Sequence, residues 1–277
     1  MNKNKLIALI HRVSEEKGIP FNAVLTHYFL EEILKRIAES SYSDNFIFKG
    51  GFLLSNVYGI NSRTTVDMDL LVTKTKVTEQ SVLNIFTEIL SQNGEGVAFK
   101  IIRLEVIRTE DKYNSYRLHV LGTLENIKVQ IPIDIATGDI ITPAPINYEF
   151  KSNFNHEKIN MISYNIETVL AEKLQTLYER NIFNSRSKDF YDIYMMYKMQ
   201  EIDYVLTKTA CENTFSYRDT LFSINEIINL TKTLKNNQQF QDRWVAYTNK
   251  FPYASGISFV ELMDTINKLL LKIETAN

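Results

Sequence analysis

The pattern of this chain predicts an α+β fold, with a mixed sheet in its first half and helices alone in its second. Short apolar runs with strand-like alternation recur at 46–48, 66–72, 97–109, 116–121 and 127–135. A helical stretch at 78–91 separates the second run from the third, and the last three follow one another directly. That order suits a mixed sheet better than a doubly wound parallel one. From Asn165 onward nearly every stretch has the helical period.

Taken in order, Leu6, Ile7, Leu9, Ile10 and Val13 predict a helix over 5–16, stopped by Gly18-Ile19-Pro20. Val24, Leu25, Tyr28, Phe29, Ile33, Leu34 and Ile37 predict a second over 21–39, with Asn22 as its N-cap, and both helices are expected beneath the sheet. The helix at 78–91 should end at Asn93-Gly94. Pro132 cannot donate to a ladder, so the strand at 127–135 is expected at an edge or with a bulge. Between Gly138 and Asn160 the pattern dissolves around Pro143, Pro145 and Lys151-Ser152-Asn153, which marks the expected boundary between residues 1–155 and 156–277. Beyond it come helices at 166–181 and from Ser187 (its expected N-cap), then about three more, ending with 259–273.

The chain's 277 residues, 44% of them hydrophobic, suffice for one large core or two smaller ones. A net charge of −2 excludes a chain-wide basic field, so any nucleic-acid contact must come from a local patch. A single cysteine, Cys211, cannot form an internal disulfide and suits a reducing cytoplasm. His11, His27, His119 and His156 lack the spacing of a zinc site. The apolar run Leu6–Ile10 is too brief for a signal peptide, and no stretch is long and apolar enough for a membrane span. The expectation is a soluble, cytoplasmic protein with no membrane partner.

The chemistry concentrates between Phe46 and Val72. A strand over 66–72 would put Asp67 and Asp69 on one face, about 7 Å apart along it, with Val66, Met68 and Leu70 on the other. Such carboxylates repel unless a cation lies between them, and Mg²⁺ (or Mn²⁺) with triphosphate oxygens would serve. The upstream Gly50-Gly51 pair, opening a helix through Phe52, Leu53, Leu54 and Val57, could let a phosphate approach backbone amides. Alone, the glycines could make a simple turn and the acids a solvated strand. Asp134, opposite the row Val129, Ile131, Ile133 and Ile135, would join the acids if the two strands are neighbours, and otherwise be solvated. In the second half, Lys173 and Arg180 share a helix flank, where they could grip phosphates or pair with Glu172 and Glu179. Asp192, among Phe190, Ile193, Tyr194 and Tyr197, needs a cationic partner: Lys173, Arg180 or Arg186.

Together these residues resemble the AbiEii/AbiGii toxins, nucleotidyltransferase-like toxins of abortive-infection toxin–antitoxin systems within the DNA polymerase β-like superfamily. Lys49-Gly50-Gly51 with Arg63-Thr64-Thr65-Val66-Asp67-Met68-Asp69-Leu70 is similar to the family's first signature. Lys173 through Arg180 resembles KxxALxxR, with Thr176 for alanine, and Lys188 through Tyr194 resembles RDxxDLY, with Lys188 for arginine and Ile193 for leucine. The resemblance implies two lobes, an α+β nucleotidyltransferase lobe and a helical one. It implies transfer of a nucleoside monophosphate from an NTP to RNA, tRNA especially, and neutralisation by a cognate antitoxin.

On that footing Asp67, Asp69 and Asp134 would be metal ligands, Asp134 alternatively the base. Gly50, Gly51, Ser55, Arg63, Thr65, Arg180 and Arg186 would bind the nucleotide. Lys173 would neutralise phosphate and Asp192 would orient it. A small-molecule nucleotidyltransferase and a non-catalytic nucleotide-binding partner protein stand as alternatives.

Overall fold

The computed structural model describes residues 1–74, 77–91, 96–108, 115–155 and 157–276. The expected stop at Asn93-Gly94, the last residue of the 97–109 strand and His156 lie outside the described residues. The chain divides into two compact units: Met1–Asp139 with Ile146–Ser163, and Ile140–Pro145 with Tyr164–Asn277.

The first unit holds helices α1 (Lys3–Lys17), α2 (Phe21–Glu39), α3 (Gly50–Tyr58) and α4 (Glu79–Ser91). Its strands are β1 (Phe46–Lys49), β2 (Met68–Val72), β3 (Ala98–Arg108), β4 (Ser115–Leu124), β5 (Ile127–Thr137), β6 (Ile146–Lys151) and β7 (Lys158–Ser163). They form one mixed sheet in the order β3-β4-β5-β2-β1-β7-β6. Pairing is parallel for β2 with β5 and for β1 with β7, and antiparallel elsewhere. The expected α+β class with a mixed sheet is the one observed.

Alternation along β4 and β5 buries Tyr116, Leu118, Val120, Ile131, Ile133 and Ile135, and α2 packs against the sheet. Phe29 of α2 meets Phe99 of β3 edge-on at 6.1 Å. Phe48, Phe52 and Phe150 tie β1, α3 and β6 together. Arg36 is buried because its guanidinium donates to the carbonyls of Leu90 (2.7 Å) and Val97 (2.6 Å), the first of them in the last turn of α4.

Several local expectations are corrected. The strand β2 starts at Met68, and Val66 is 62% exposed. Pairing with β1 ends at Asp69 and with β5 at Met68, so no sheet lies under Val66. Strand β5 is interior, with continuous register against β4. Pro132 is tolerated because β2 pairing begins only at Ile133, which leaves that flank without a ladder partner. The supposedly patternless 138–160 stretch contains β6 and the start of β7; β6 is an edge strand burying only Phe150, so its sequence reads as a polar loop. Helix α2 is capped at Pro20, not Asn22, with no side-chain bond.

The second unit holds α5 (Ile166–Arg180), α6 (Ser187–Met199), α7 (Tyr204–Tyr217), α8 (Ile224–Lys235), α9 (Gln238–Lys250) and α10 (Phe259–Thr275). Four helices, not three, thus follow α6. Asn165, Asp203, Ser223, Asn237 and Ser258 cap α5, α7, α8, α9 and α10 through their side chains. Arg186, not Ser187, precedes α6 and makes no side-chain cap. The segment 140–145 joins this unit through hydrogen bonds: Asn165 Nδ2 donates to the carbonyls of Thr142 and Ala144, and Asn213 Nδ2 to the Thr142 hydroxyl. No helix among the described residues is long and apolar enough to cross a membrane.

Gly122 of β4 lies where a Cβ would come within 2.4 Å of the Phe29 ring and 2.9 Å of the Phe99 ring. Both rings are held by core neighbours. Gly122→Ala is therefore expected to destabilise the protein by about 1–3 kcal/mol through overpacking, read from urea unfolding midpoints at unchanged slope.

Candidate active site

The turn from β1 into α3 is shaped around one carboxylate. Gly50 has φ +71, and a Cβ there would stand 1.9 Å from Asp69 Oδ2. No side-chain-bearing residue fits, on both backbone and steric grounds. The Gly51 amide donates to Asp69 Oδ2 at 3.3 Å, so the carboxylate sits at the positive end of α3. A Cβ on Gly51 would meet Thr65 Oγ1 at 3.0 Å and Arg63 Nη2 at 3.4 Å. The loop before β2 therefore folds back against the glycines. Thr65 donates its hydroxyl to Asp67 Oδ1, and buried Arg63 donates to the Thr64 carbonyl.

Strand register supplies the rest. Lys49 stands opposite Asp69, Asp69 opposite Asp134, and Asp134 opposite Arg117. Four neighbouring strands thus carry a row of cation, anion, anion and cation. Burial pushes the Asp69 carboxyl up to about 6; Asp67 adds to the rise, Lys49 opposes it, Asp134 adds again and the Gly51 amide opposes.

Arg117 grips Asp134 with two hydrogen bonds, Nε to Oδ1 at 2.6 Å and Nη2 to Oδ2 at 2.7 Å. That hydrogen bonding to Asp134 outweighs burial and raises the guanidinium further above its usual value. Lys49 in turn bridges to Asp139. Among the described residues no group of three carboxylate, imidazole or thiol side chains is gathered so as to hold a metal ion unaided. The strands of Asp69 and Asp134 are neighbours, as the convergence of the three acids required, and Asp134 there is held by Arg117.

Sequence reading missed Arg117 and Asp139. Arg117 lies between the buried Tyr116 and Leu118 on the other face of β4, and only register shows what it faces. Ser55 is fully buried, and its hydroxyl has no partner among the described residues. It is enclosed by protein in this conformation rather than open to a phosphate.

The helical unit has its own charged cluster. Lys173 of α5 donates to Asp189 Oδ1 (2.9 Å) and Asp192 Oδ2 (2.8 Å) of α6, and Arg186 Nε lies 2.7 Å from Asp189 Oδ2. Asp192 is fully buried, and Lys173 is its partner among the three cations considered. Burial alone would lower the Lys173 ammonium, but Asp189 and Asp192 outweigh it and hold it above its usual value. Asp189 would rise on burial, yet Lys173 and Arg186 draw it below the usual carboxylate range. Arg180 ends α5 and is exposed.

Residues 32–265 match the family model described as nucleotidyl transferase AbiEii toxin, type IV toxin–antitoxin system. The chain belongs to the AbiEii family. This AbiEii protein is accordingly a nucleotidyltransferase of a type IV toxin–antitoxin system, which carries with it a nucleotide substrate and an antitoxin. Two crystal structures share its fold. A candidate nucleotidyltransferase from H. pylori has 13% identity and TM-score 0.57, over 92% of this chain and 96% of that one. JHP933 from Helicobacter pylori has 12% identity and TM-score 0.54, over 91% of each. No curated protein matches the AbiEii chain in sequence.

Two stability effects follow from the charges. A carboxyl raised on folding contributes stability that is full below its unfolded value, roughly 3.9, and is lost as pH rises through about 6. Asp69→Asn is thus expected to stabilise the protein by about 1–3 kcal/mol at neutral pH. The advantage should vanish toward roughly pH 4, as followed by denaturant titration across pH. Lys173→Ala should do the reverse, costing about 3–5 kcal/mol because it strips the ammonium from two buried carboxylates; the same titration at pH 7 measures it.

Proposed function

We propose that this AbiEii protein transfers a nucleoside monophosphate from an NTP to a hydroxyl of RNA, tRNA being the favoured acceptor, and so arrests growth as the toxin of an abortive-infection, phage-defence system. The observation that carries the reading is the Asp67–Asp69 pair packed against the Gly50-Gly51 turn. Two acids held together with one of them raised to about 6 suit a site completed by a divalent cation. Asp67 and Asp69 would hold Mg²⁺ or Mn²⁺, with the remaining ligands drawn from triphosphate and water. When bound, the ion supplies charge stabilisation to the phosphate oxygens.

The acceptor hydroxyl gives its proton to water as its oxygen bonds to the α-phosphorus, the bond from that phosphorus to the α,β-bridging oxygen breaks, and pyrophosphate leaves. The chain's own residues position this exchange. Thr65 fixes Asp67, and Gly51 fixes Asp69. The two glycines make room for Asp69, Thr65 and Arg63 against the turn, and we assign Thr65 and Arg63 to the phosphates. Both oxygens of Asp134 are engaged by Arg117, so we assign Asp134 to holding that guanidinium beside the acid pair. In the helical unit we assign Lys173, Arg180 and Arg186 to phosphate neutralisation, with Asp189 and Asp192 keeping the lysine charged and aimed.

The test is to incubate the purified protein with total RNA, Mg²⁺ or Mn²⁺ and each α-labelled NTP. Label should enter RNA, and Asp67→Asn or Asp69→Asn should lower incorporation by about 10²-fold or more while the protein stays folded. Label in a small molecule would favour the small-acceptor alternative, and no transfer to anything would favour the non-catalytic one. In cells, Asp69→Asn should abolish growth arrest.

A further inference from the structure

The connection between α5 and α6 displays apolar side chains that no core claims. Phe183 is 82% exposed and Ile182 48% exposed, on a short turn at 181–183. The turn is firmly built. Asn181 opens it with φ +46 and ψ −131. Asn184 is buried; its amide donates to the Asn181 carbonyl (3.1 Å), its Oδ1 accepts from the Arg186 amide (2.9 Å), and its carbonyl accepts from Arg243 Nη1 (2.9 Å). With its neighbour so anchored, Phe183 is delivered to water by a fixed backbone.

The connection itself carries cations. From Arg180 to Lys188 the chain carries Arg180, Arg186 and Lys188 and no acid. Arg186 is paired with Asp189, whereas Arg180 and Lys188 make no ion pair among the described residues. In a chain with net charge −2, the exposed ring thus lies between two cations along the sequence, with Glu179 and Asp189 just outside them. Single-stranded nucleic acid matches both features, since any base can stack on an aromatic face while its phosphates meet cations. A protein partner would need a complementary acidic surface as well as an apolar pocket.

We propose that Phe183 is a stacking platform for an unpaired base of the RNA acceptor, with Lys188 on a flanking phosphate. The inference rests on the RNA-acceptor reading above and adds a residue to it. Phe183 touches the acceptor and takes no part in the chemical step.

Binding of a labelled single-stranded oligoribonucleotide to the full chain, without NTP and at low salt, tests it by fluorescence anisotropy. Phe183→Ala and Phe183→Leu should each weaken binding about tenfold, with thermal unfolding unchanged because the ring is solvated. Phe183→Trp should retain affinity and gain an emission that RNA quenches. Equal affinity of wild type and Phe183→Ala would overturn the platform while leaving the acceptor reading intact. Full affinity in Phe183→Leu would also overturn it, pointing to an apolar dock for protein. A wild type that neither binds nor labels RNA would overturn the acceptor reading, and the platform with it.

Discussion

Asp69 is the constraint around which the first unit is arranged. Its carboxylate occupies the space that a side chain at position 50 would fill, takes the Gly51 amide, and faces Lys49 on one side and Asp134 on the other. Each contact restricts another part of the chain. The glycine niche dictates how β1 turns into α3, the amide places the start of α3, and register with Asp134 ties β2 to β5. Burial above all, with the nearby charges of Asp67 and Asp134, disfavours its ionised form, which is why a group raised to about 6 sits at the centre of an otherwise well-packed sheet. Perturbed groups of this kind cluster at functional sites, which makes this turn the candidate site of the first unit.

The second unit handles its charges differently. Lys173, Asp189, Asp192 and Arg186 neutralise one another at 2.7–2.9 Å, and the carboxylates are almost wholly buried. Loss of one member leaves the others uncompensated, so the cluster links α5 to α6 as much as it presents charge. A substitution at Lys173 therefore confounds chemistry with folding, whereas neutral replacement of Asp69 relieves strain and separates the two. The row Lys49, Asp69, Asp134 and Arg117 lies between these extremes: its outer cations are engaged by Asp139 and Asp134, and its inner acids have no cation between them.

Much of this was legible along the chain, because helix period, alternation and glycine pairs are properties of a local stretch. The helices α1 to α6, the β4–β5 hairpin, the Gly50-Gly51 turn, the Asp67–Asp69 pair and the need of Asp192 for a cationic partner could all be read from spacing and residue type. Strand β6 escaped because it is an edge strand with one buried residue and so carries no alternation. Val66 misled for a related reason: alternation says which way a side chain points, but not whether a neighbouring strand extends that far.

By itself the sequence determined the kinds of element, the places where acids, glycines and cations cluster, and the resemblance those clusters carry. Only the tertiary structure decided that Asp134 answers to Arg117, that Lys49 aligns with Asp69, and that the segment 140–145 belongs with the helices. The physical reason is that spacing along the chain is encoded within each segment. Strand register and the pairing of charges across the sheet instead come from how distant segments share one core, a collective outcome that no single stretch contains.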